Sequence, residues 1–217
     1  MKEMRGGIYL ADGWPHRMSL FGSMLIFSLS AAGLVAYIAW LYFARRTHIL
    51  LIEMAFIVSD GGEIVDKIRA ARQAHSERTP GQRWAFLSDV ARGLRWCRYR
   101  TGGLWVREEH NSYQALGADA VTLVQRHRTL FEGPEDANGK RCVVGLVYTA
   151  EMPDRLGSGG LDDAKKHLDF LLQEGPLELG FVEAYYGVLG DDDVDERLIE
   201  DLREIHLRHR PTPLDHL

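Results

Sequence analysis

The sequence predicts an α+β fold, in which helices pack on a small sheet of about three or four strands, preceded by one transmembrane helix. The first observation behind this prediction is an uncharged apolar run over residues 19–43. The others are three apolar segments with the length and composition of strands, and a series of helical stripes between them. The chain is therefore expected to divide into an N-terminal tail (1–18), a transmembrane helix (19–43), a soluble α+β domain (47–210) and a C-terminal tail (211–217).

The apolar run over residues 19–43 is long enough to cross a lipid bilayer. About 25 helical residues rise roughly 37 Å at ~1.5 Å per residue, whereas a hydrocarbon core is about 30 Å thick. Aromatic side chains flank the run and two arginines follow it directly, as is typical of membrane interfaces. The alternatives are a cleaved signal peptide, whose apolar core is shorter, and a core helix, which would have to be enclosed on all sides.

The charges at the two ends of the run bear on its orientation. Three Lys or Arg residues precede it, but Arg45 and Arg46 lie directly at its end, which favours a cytoplasmic domain and a short outside N-terminus. Small side chains recur within the run and predict a strip for self-association, formed by Ser28, Ala32 and Ala36. The two cysteines, Cys97 and Cys142, are compatible with two thiols or with one disulfide.

The first half of the soluble domain is expected to open with a strand. Residues 47–58 have a period of two and are apolar on both faces, which is typical of a central strand. A helix begins near Asp60, where an acidic residue three positions later completes a capping box. A second helix begins at Pro80, and the Thr-Gly-Gly sequence at 101–103 is predicted to end it. Residues 104–109 are predicted to form a short edge strand.

The second half alternates helices and strands. A long helix is predicted over about 112–131, and the apolar runs 142–150 and 180–189 are predicted to be the remaining strands. A helix over about 161–173 lies between these strands, and acidic residues from 191 onward begin a final helix. If the two strands are parallel neighbours, the connection between them should be a right-handed crossover.

Composition and motifs argue against several functional classes. The chain has 26 Lys and Arg, 31 Asp and Glu, and a net charge of −5, which speaks against a dedicated nucleic-acid binder. It contains no glycine-rich phosphate loop, no nucleophile elbow and no paired Cys-x-x-Cys motif, so no cofactor is expected. The alternating Asp191, Asp193 and Asp195 lack the glycine and the final glutamate of a calcium loop.

Two carboxylates interrupt apolar strands, Glu53 in the first and Glu183 in the third. If these strands are adjacent, both side chains could project from one sheet face. Apolar surroundings raise the pKa of a carboxyl group, so the pair would be suited to general acid and base catalysis. The alternative is that they lie on a partly open face, or pair with an arginine such as Arg69 or Arg92.

Three histidines are further candidates. His127 lies on an apolar helical stripe and is expected to be a hydrogen-bonded core residue. His206 and His209 are three residues apart in the final helix and, with His216 nearby, suggest a metal site. The alternative is that this spacing, close to the end of the sequence, has no functional meaning.

A basic and aromatic segment is the strongest functional feature of the sequence. Residues 67 to 107 include ten Lys or Arg and only two acidic residues, with Trp and Tyr interleaved. This composition suits contact with anionic lipid headgroups or with an acidic protein partner. The alternative is a solvated helix face with Trp84 in the core. The predicted contact surface consists of Arg83, Arg92, Arg95, Arg98, Arg100, Trp96 and Trp105.

Four motifs follow one another in the second half of the chain: an apolar strand, a helix that opens Leu-Asp-Asp-Ala, an aromatic strand and an acidic helix start. They lie at 142–147, 161–164, 181–186 and 191–196, and Pro-Leu at 213–214 closes the series. This part of the chain resembles the C-terminal half of a family of uncharacterised membrane-anchored proteins of bacteria and chloroplasts, domain of unknown function 1517. That family usually has Val-Glu-Val-Leu-Trp followed by Thr-Pro in the third strand, where this chain has Glu-Ala-Tyr-Tyr-Gly. The resemblance implies a membrane-anchored domain, but no activity, substrate or catalytic residue.

The expected function is therefore that of a single-pass membrane protein whose α+β domain acts as a non-enzymatic adaptor or regulator with an unknown protein partner. One alternative is an enzyme that uses Glu53 and Glu183. The other is a domain that binds the surface of anionic lipid.

Overall fold

The computed structural model of the chain describes residues 33–34, 48–109, 113–131, 137–152, 156–173, 175–191 and 193–208. The described residues from His48 onward belong to one compact unit. The self-association strip at Ser28, Ala32 and Ala36, and the predicted span apart from Gly33 and Leu34, lie outside the described residues. Within the described part of the chain, no helix is both long and apolar enough to cross a bilayer.

Five strands and five helices follow one another from His48 onward in the described chain. The strands are β1 (His48–Val58), β2 (Tyr99–Glu109), β3 (Cys142–Met152), β4 (Gly159–Gly160) and β5 (Leu179–Val188). The helices are α1 (Gly62–Ala74), α2 (Pro80–Leu94), α3 (Tyr113–Leu130), α4 (Leu161–Gln173) and α5 (Asp195–Arg208). The predicted α+β class is confirmed.

The strands form one antiparallel sheet in the order β4-β2-β1-β3-β5. The central position predicted for the first strand is confirmed, because β1 pairs with β2 on one side and with β3 on the other. The sheet has five strands rather than three or four, since the Gly-Gly pair of β4 adds a short edge to β2. β3 and β5 are neighbours but antiparallel, so the condition set for a right-handed crossover is not met.

The prediction that residues 101–103 end a helix, with only a short strand after them, is wrong. Helix α2 ends at Leu94, and both glycines lie inside the 11-residue strand β2. A Cβ added to Gly102 would lie 2.8 Å from the carbonyl oxygen of Ala55, and one added to Gly103 would lie 2.7 Å from the ring of Trp105. Glycine therefore serves here for close packing inside a strand and not for helix termination.

The start of α1 differs from the predicted capping box. Oδ1 of Asp60 accepts hydrogen bonds from the backbone N–H groups of Gly62 (3.0 Å) and Gly139 (3.1 Å). Glu63 pairs with Lys67 one turn along the helix and does not reach back to the helix start. Asp60 thus connects the helix to the turn that precedes β3, which was not predicted.

Helices cover both faces of the sheet, because the side chains of β1 alternate between two buried layers. Leu50, Met54 and their alternate neighbours pack against the apolar sides of α1, α2 and α4. Leu51, Ala55 and Ile57 pack against α3 and α5. The side chain of Glu53 lies on the same face of β1 as Leu51 and Ala55, so it is in the layer beneath α3 and α5.

Candidate functional site

A fully buried polar cluster centres on Glu53. The hydroxyl of Tyr185 on β5 donates to Oε1 of Glu53 at 2.6 Å, and Nδ1 of His206 on α5 lies 2.9 Å from Oε2. Nε2 of His127 on α3 lies 2.9 Å from Oε1, although its N–H is not aligned for a hydrogen bond. The carboxylate and both imidazoles have 0% exposed side-chain surface. The cluster connects two strands to both helices that cover this face.

Aromatic rings hold the members of the cluster in place. Trp105, which lies directly opposite Glu53 on β2, packs 6.3 Å from the ring of His206. The ring of Tyr185 lies 4.6 Å from that of His127. Tyr185 occupies this position because its cross-strand partner is Gly145, which has no side chain to exclude the ring.

The charge state of the cluster follows from its contacts. Burial alone would raise the pKa of Glu53, but attraction from the adjacent His127 and His206, with the hydrogen bond from His206, outweighs it and lowers the pKa to about 2. The expectation of a raised pKa at Glu53 is therefore wrong. Burial and the adjacent carboxylate raise the pKa of Tyr185 well above its usual range, so its hydroxyl remains a donor. Glu53 is thus a charged acceptor at the centre of a closed network.

We expect Glu53 to make stability depend on acid pH. Its pKa is about 2 in the folded chain against an ordinary 4.5, so the stabilisation is fully present above pH 4.5 and is lost as the pH falls towards 2. The shift corresponds to about 3 kcal/mol. Urea unfolding of wild type and Glu53→Gln at a series of pH values measures it. The variant should be less stable by about this amount at neutral pH, with the gap closing between pH 4.5 and 2; a gap independent of pH would contradict the assignment.

Glu183 lies in a different environment, inside a ring of arginines at the free edge of β5. Its Oε1 lies 3.1 Å from Nε of Arg72 on α1 and 3.2 Å from Nη2 of Arg128 on α3. Its Oε2 lies 2.9 Å from Nη2 of Arg78, in the loop between α1 and α2. The alternative that this carboxylate pairs with arginines is confirmed, although the partners are not Arg69 or Arg92.

Three arginines also cover the backbone at this edge of the sheet. Arg72 donates through Nη2 to the carbonyl oxygen of Ala184, and Arg128 approaches that oxygen at 3.4 Å. Arg83 donates to the carbonyl oxygen of Leu179 at 2.9 Å. Unpaired backbone groups of an edge strand invite pairing with another chain, and charged side chains over the edge prevent it.

Arg78 holds an unusual conformation within this ring. Its φ of 56° is the only left-handed value of a non-glycine residue in the described chain. The guanidinium lies 4.4 Å from the ring centre of Phe86, and its Nη1 is buried and makes no hydrogen bond among the described residues. Such strain of about 1–3 kcal/mol persists only where surrounding contacts impose it, and it concentrates at functional sites.

The two carboxylates predicted to form a catalytic pair do not share a cleft among the described residues. Glu53 and Glu183 both align with Val147 of β3, so they lie two strands apart, or roughly 10 Å between backbones. Glu53 is enclosed by its histidines and tyrosine, while Glu183 is held by three arginines. Neither carboxylate has a free position beside the other for a reacting group.

The described residues include one of the three histidines of the predicted metal site and both cysteines. His206 points into the sheet towards Glu53, whereas His209 and His216 lie outside the described residues. No group of His, Cys, Asp and Glu within the described residues is placed to hold a metal ion. Cys97 and Cys142 are both free thiols, and burial raises the pKa of each to about 11.

The predicted basic and aromatic surface divides among three places. Arg83 lies at the edge of β5, Arg100 pairs with the buried Asp195, and Trp105 is 2% exposed in the core. These three residues cannot contribute to one exposed surface, because β2 and α2 carry them to opposite sides of the sheet. The remaining four, Arg92, Arg95, Trp96 and Arg98, are exposed together at the end of α2 and are termed the Trp96 surface.

Trp96 itself is 75% exposed and borders a groove of about 390 Å³ between α1 and α2. Ala70 and Ala74 of α1 line the groove with small apolar side chains, and Lys67 and Arg92 flank it. Arg92 pairs with Asp89 on the same helix, and Nε of Arg95 lies 3.6 Å from Asp169 on α4. The side chain of Arg98 has no partner among the described residues.

A second cleft of about 630 Å³ lies between the end of α3 and α5. Its walls combine apolar side chains such as Phe131, Leu189 and Leu202 with charges of both signs, including Arg126 and Asp201. No member of the Glu53 cluster lines this cleft. The cleft and the cluster are therefore separate features of the described residues.

Comparison with known proteins finds no family model, no curated protein and no solved structure that matches the chain. The resemblance to domain of unknown function 1517 accordingly stays a prediction. The roles proposed for these residues rest on their geometry and charge alone.

Sequence reasoning missed Tyr185 and the arginines Arg72, Arg78 and Arg128. A signal was present for Tyr185. Side chains two residues apart in a strand lie on the same face of the sheet, so Tyr185 shares a face with Glu183. Arg72 and Arg78 belong to the basic segment 67–107, but no local signal linked the three arginines to Glu183, since they come from two helices and a loop that meet only at the edge of β5.

Proposed function

We propose that this chain is a single-pass, membrane-anchored, non-enzymatic adaptor or regulator, and that its α+β domain binds an acidic protein partner through the Trp96 surface. The observation that supports the proposal most directly is the 75% exposure of Trp96, among three exposed arginines and beside an apolar groove. Large exposed apolar side chains rimmed by polar groups mark interaction sites. Trp and Arg are also the residues that most often dominate binding energy.

The charges of the surface favour an acidic partner. Arg92 and Arg95 are more than half exposed, and their ion pairs with Asp89 and Asp169 are weak, because solvent screens exposed pairs. Carboxylates of a partner can replace these pairs at little loss, and Arg98 is already free of any partner among the described residues. Removal of Trp96 from water then supplies the apolar part of the binding energy.

The two carboxylates give little support to the enzymatic alternative. A general acid or base must reach its substrate within hydrogen-bonding distance. Glu53 is fully buried. The carboxylate oxygens of Glu183 are already engaged by N–H groups of the chain's own arginines and backbone. Non-enzymatic binding agrees better with this arrangement of the described residues.

A photo-crosslinking amino acid at position 96 of the full-length chain tests the proposal in native membranes. The matched control carries the same amino acid at Val121, a 41% exposed position on α3. We expect one defined, salt-sensitive protein adduct from position 96 and none from position 121. Arg95→Glu combined with Arg98→Glu should abolish that adduct. Adducts to lipid alone would favour the anionic-lipid alternative, and identical adducts from both positions would contradict the proposal.

Trp96→Ala should weaken binding to the captured partner by at least about tenfold, the effect expected of a central interface tryptophan. Folding stability should change little, because the side chain is mostly exposed. Affinity measured by titration, with urea unfolding as the stability control, separates the two effects. Equal affinity of wild type and variant would show that the partner binds elsewhere.

A further inference from the structure

We infer that the arginine ring around Glu183 is a binding site for a phosphate monoester, whose phosphate dianion would lie against Arg72, Arg78 and Arg128. The inference concerns the edge of β5 and is independent of the partner proposed for the Trp96 surface. It rests on the charge balance of the ring, on the donors that Glu183 leaves over, and on the imposed conformation of Arg78.

The ring carries more positive charge than the described residues neutralise. Three guanidinium groups lie within 3.2 Å of the carboxylate of Glu183, which supplies a single negative charge. The neighbouring Arg69 is already paired with Asp66 and donates to the hydroxyl of Tyr186, so it adds no uncompensated charge. Two positive charges therefore remain without a counter-charge among the described residues, and a phosphate monoester at neutral pH carries about two negative charges.

The three arginines have N–H groups that Glu183 and Ala184 do not use. Each guanidinium has five N–H groups in a planar fork that fits the oxygens of phosphate or carboxylate. Glu183 takes one nitrogen from each arginine, and Ala184 takes a second from Arg72. Nη1 of Arg78 is buried and has no hydrogen-bond partner in the described chain. A buried charged donor of this kind is costly unless an acceptor reaches it.

Arg78 is held ready for such a ligand. Its left-handed backbone, the contact with the ring of Phe86 and the ion pair to Glu183 together fix the guanidinium at the edge of β5. The ring also holds three like charges close together around one carboxylate. Burial and the charge of Arg72 lower the pKa of Arg128, and Glu183 does not fully restore it. A guanidinium that is already positioned loses little conformational entropy when an anion binds.

A phosphate monoester fits this ring better than a carboxylate does. It brings three acceptor oxygens and a second negative charge, which match three guanidinium forks and their two uncompensated charges. Phosphate groups with this chemistry occur on small soluble metabolites and on the headgroup of phosphatidic acid. The two sources differ only in what is attached to the phosphate.

Calorimetric titration of the full-length chain in a non-ionic detergent tests the inference. The probes are inorganic phosphate, glycerol 3-phosphate and dihexanoyl phosphatidic acid, with dihexanoyl phosphatidylcholine as the phosphodiester control. We expect binding of the first three at constant ionic strength, and at least about tenfold weaker binding by Arg78→Gln combined with Arg128→Gln. Arg203→Gln, which removes an exposed arginine of α5 paired only with Glu200 among the described residues, should bind like wild type.

The result also distinguishes the two sources. A preference of about tenfold or more for phosphatidic acid identifies a lipid headgroup, whereas equal affinities identify a soluble phosphate. Either outcome supports the site. Failure of all three probes to bind, or equal binding by wild type and the double variant, would overturn it.

A stability measurement guards against variants that fold poorly. Glu183→Gln removes the carboxylate at the centre of the ring and leaves three arginines to repel one another. The variant should unfold at a lower temperature than wild type, and inorganic phosphate should restore much of the difference, since it supplies the missing negative charge. Sodium chloride at equal ionic strength should restore less. Equal effects of the two salts would count against a specific site.

Discussion

Replacing Glu53 with alanine is expected to destabilise the folded chain by about 4 kcal/mol, because it removes a buried, hydrogen-bonded carboxylate and leaves its polar partners behind. The carboxylate accepts from Tyr185 and His206 and lies 2.9 Å from His127, all within a core that excludes water. Its removal leaves an uncompensated polar group on two helices and on one strand. Urea unfolding followed by tryptophan fluorescence measures the loss.

Tyr185→Phe is the matched control for this prediction. It removes a single hydroxyl and leaves both histidines in contact with Glu53, so a smaller loss of about 1–2 kcal/mol is expected. A loss below about 1 kcal/mol for Glu53→Ala would show that the cluster contributes little to stability. The same result would weaken the assignment of the pH dependence to Glu53.

Replacing Gly145 with alanine is expected to cost about 3 kcal/mol, although it adds only one methyl group. The added Cβ would lie 2.0 Å from Cζ of Tyr185, well inside the closest permitted contact. The ring cannot simply move away, because it is stacked on Phe131 and hydrogen-bonded to Glu53. The substitution must therefore displace Tyr185 and open the buried cluster.

Gly117→Ala provides the control of opposite sign. Gly117 lies inside helix α3, and a Cβ there would meet nothing within 4 Å. Alanine should stabilise the helix by about 0.5–1 kcal/mol. Gly145→Ala and Glu53→Ala should combine to less than the sum of their separate effects, since both act through Tyr185. Full additivity would contradict this coupling.

Both substitutions show how far sequence reasoning reaches at this site. Glu53 was recognisable as a carboxylate inside an apolar strand, and His127 as a histidine on an apolar helical stripe. That they meet depends on the pairing of β1 with β3, of β3 with β5, and on the packing of α3 over these strands. The pKa of Glu53 consequently falls where its apolar neighbours in the sequence implied a rise.

The two tryptophans of the predicted contact surface illustrate the same limit. Trp96 and Trp105 belong to one basic and aromatic stretch and are indistinguishable by composition. Trp96 follows the last turn of α2 and is 75% exposed, while Trp105 lies on the inner face of β2 and is 2% exposed. The difference arises because the chain enters the sheet between them, at Tyr99.

Local patterns were sufficient to locate α1, α3, α4, β1, β3 and β5 and to predict the α+β class, because hydrophobic periodicity is set by neighbouring residues. They also identified the unusual residues Glu53, Glu183 and His127. Folding in three dimensions added the antiparallel strand order, the enclosure of Glu53 by two histidines and a tyrosine, and the arginine ring around Glu183. The contacts of Glu53 and Glu183 join residues more than 50 positions apart, and no short-range pattern encodes which distant strand or helix comes to lie alongside another.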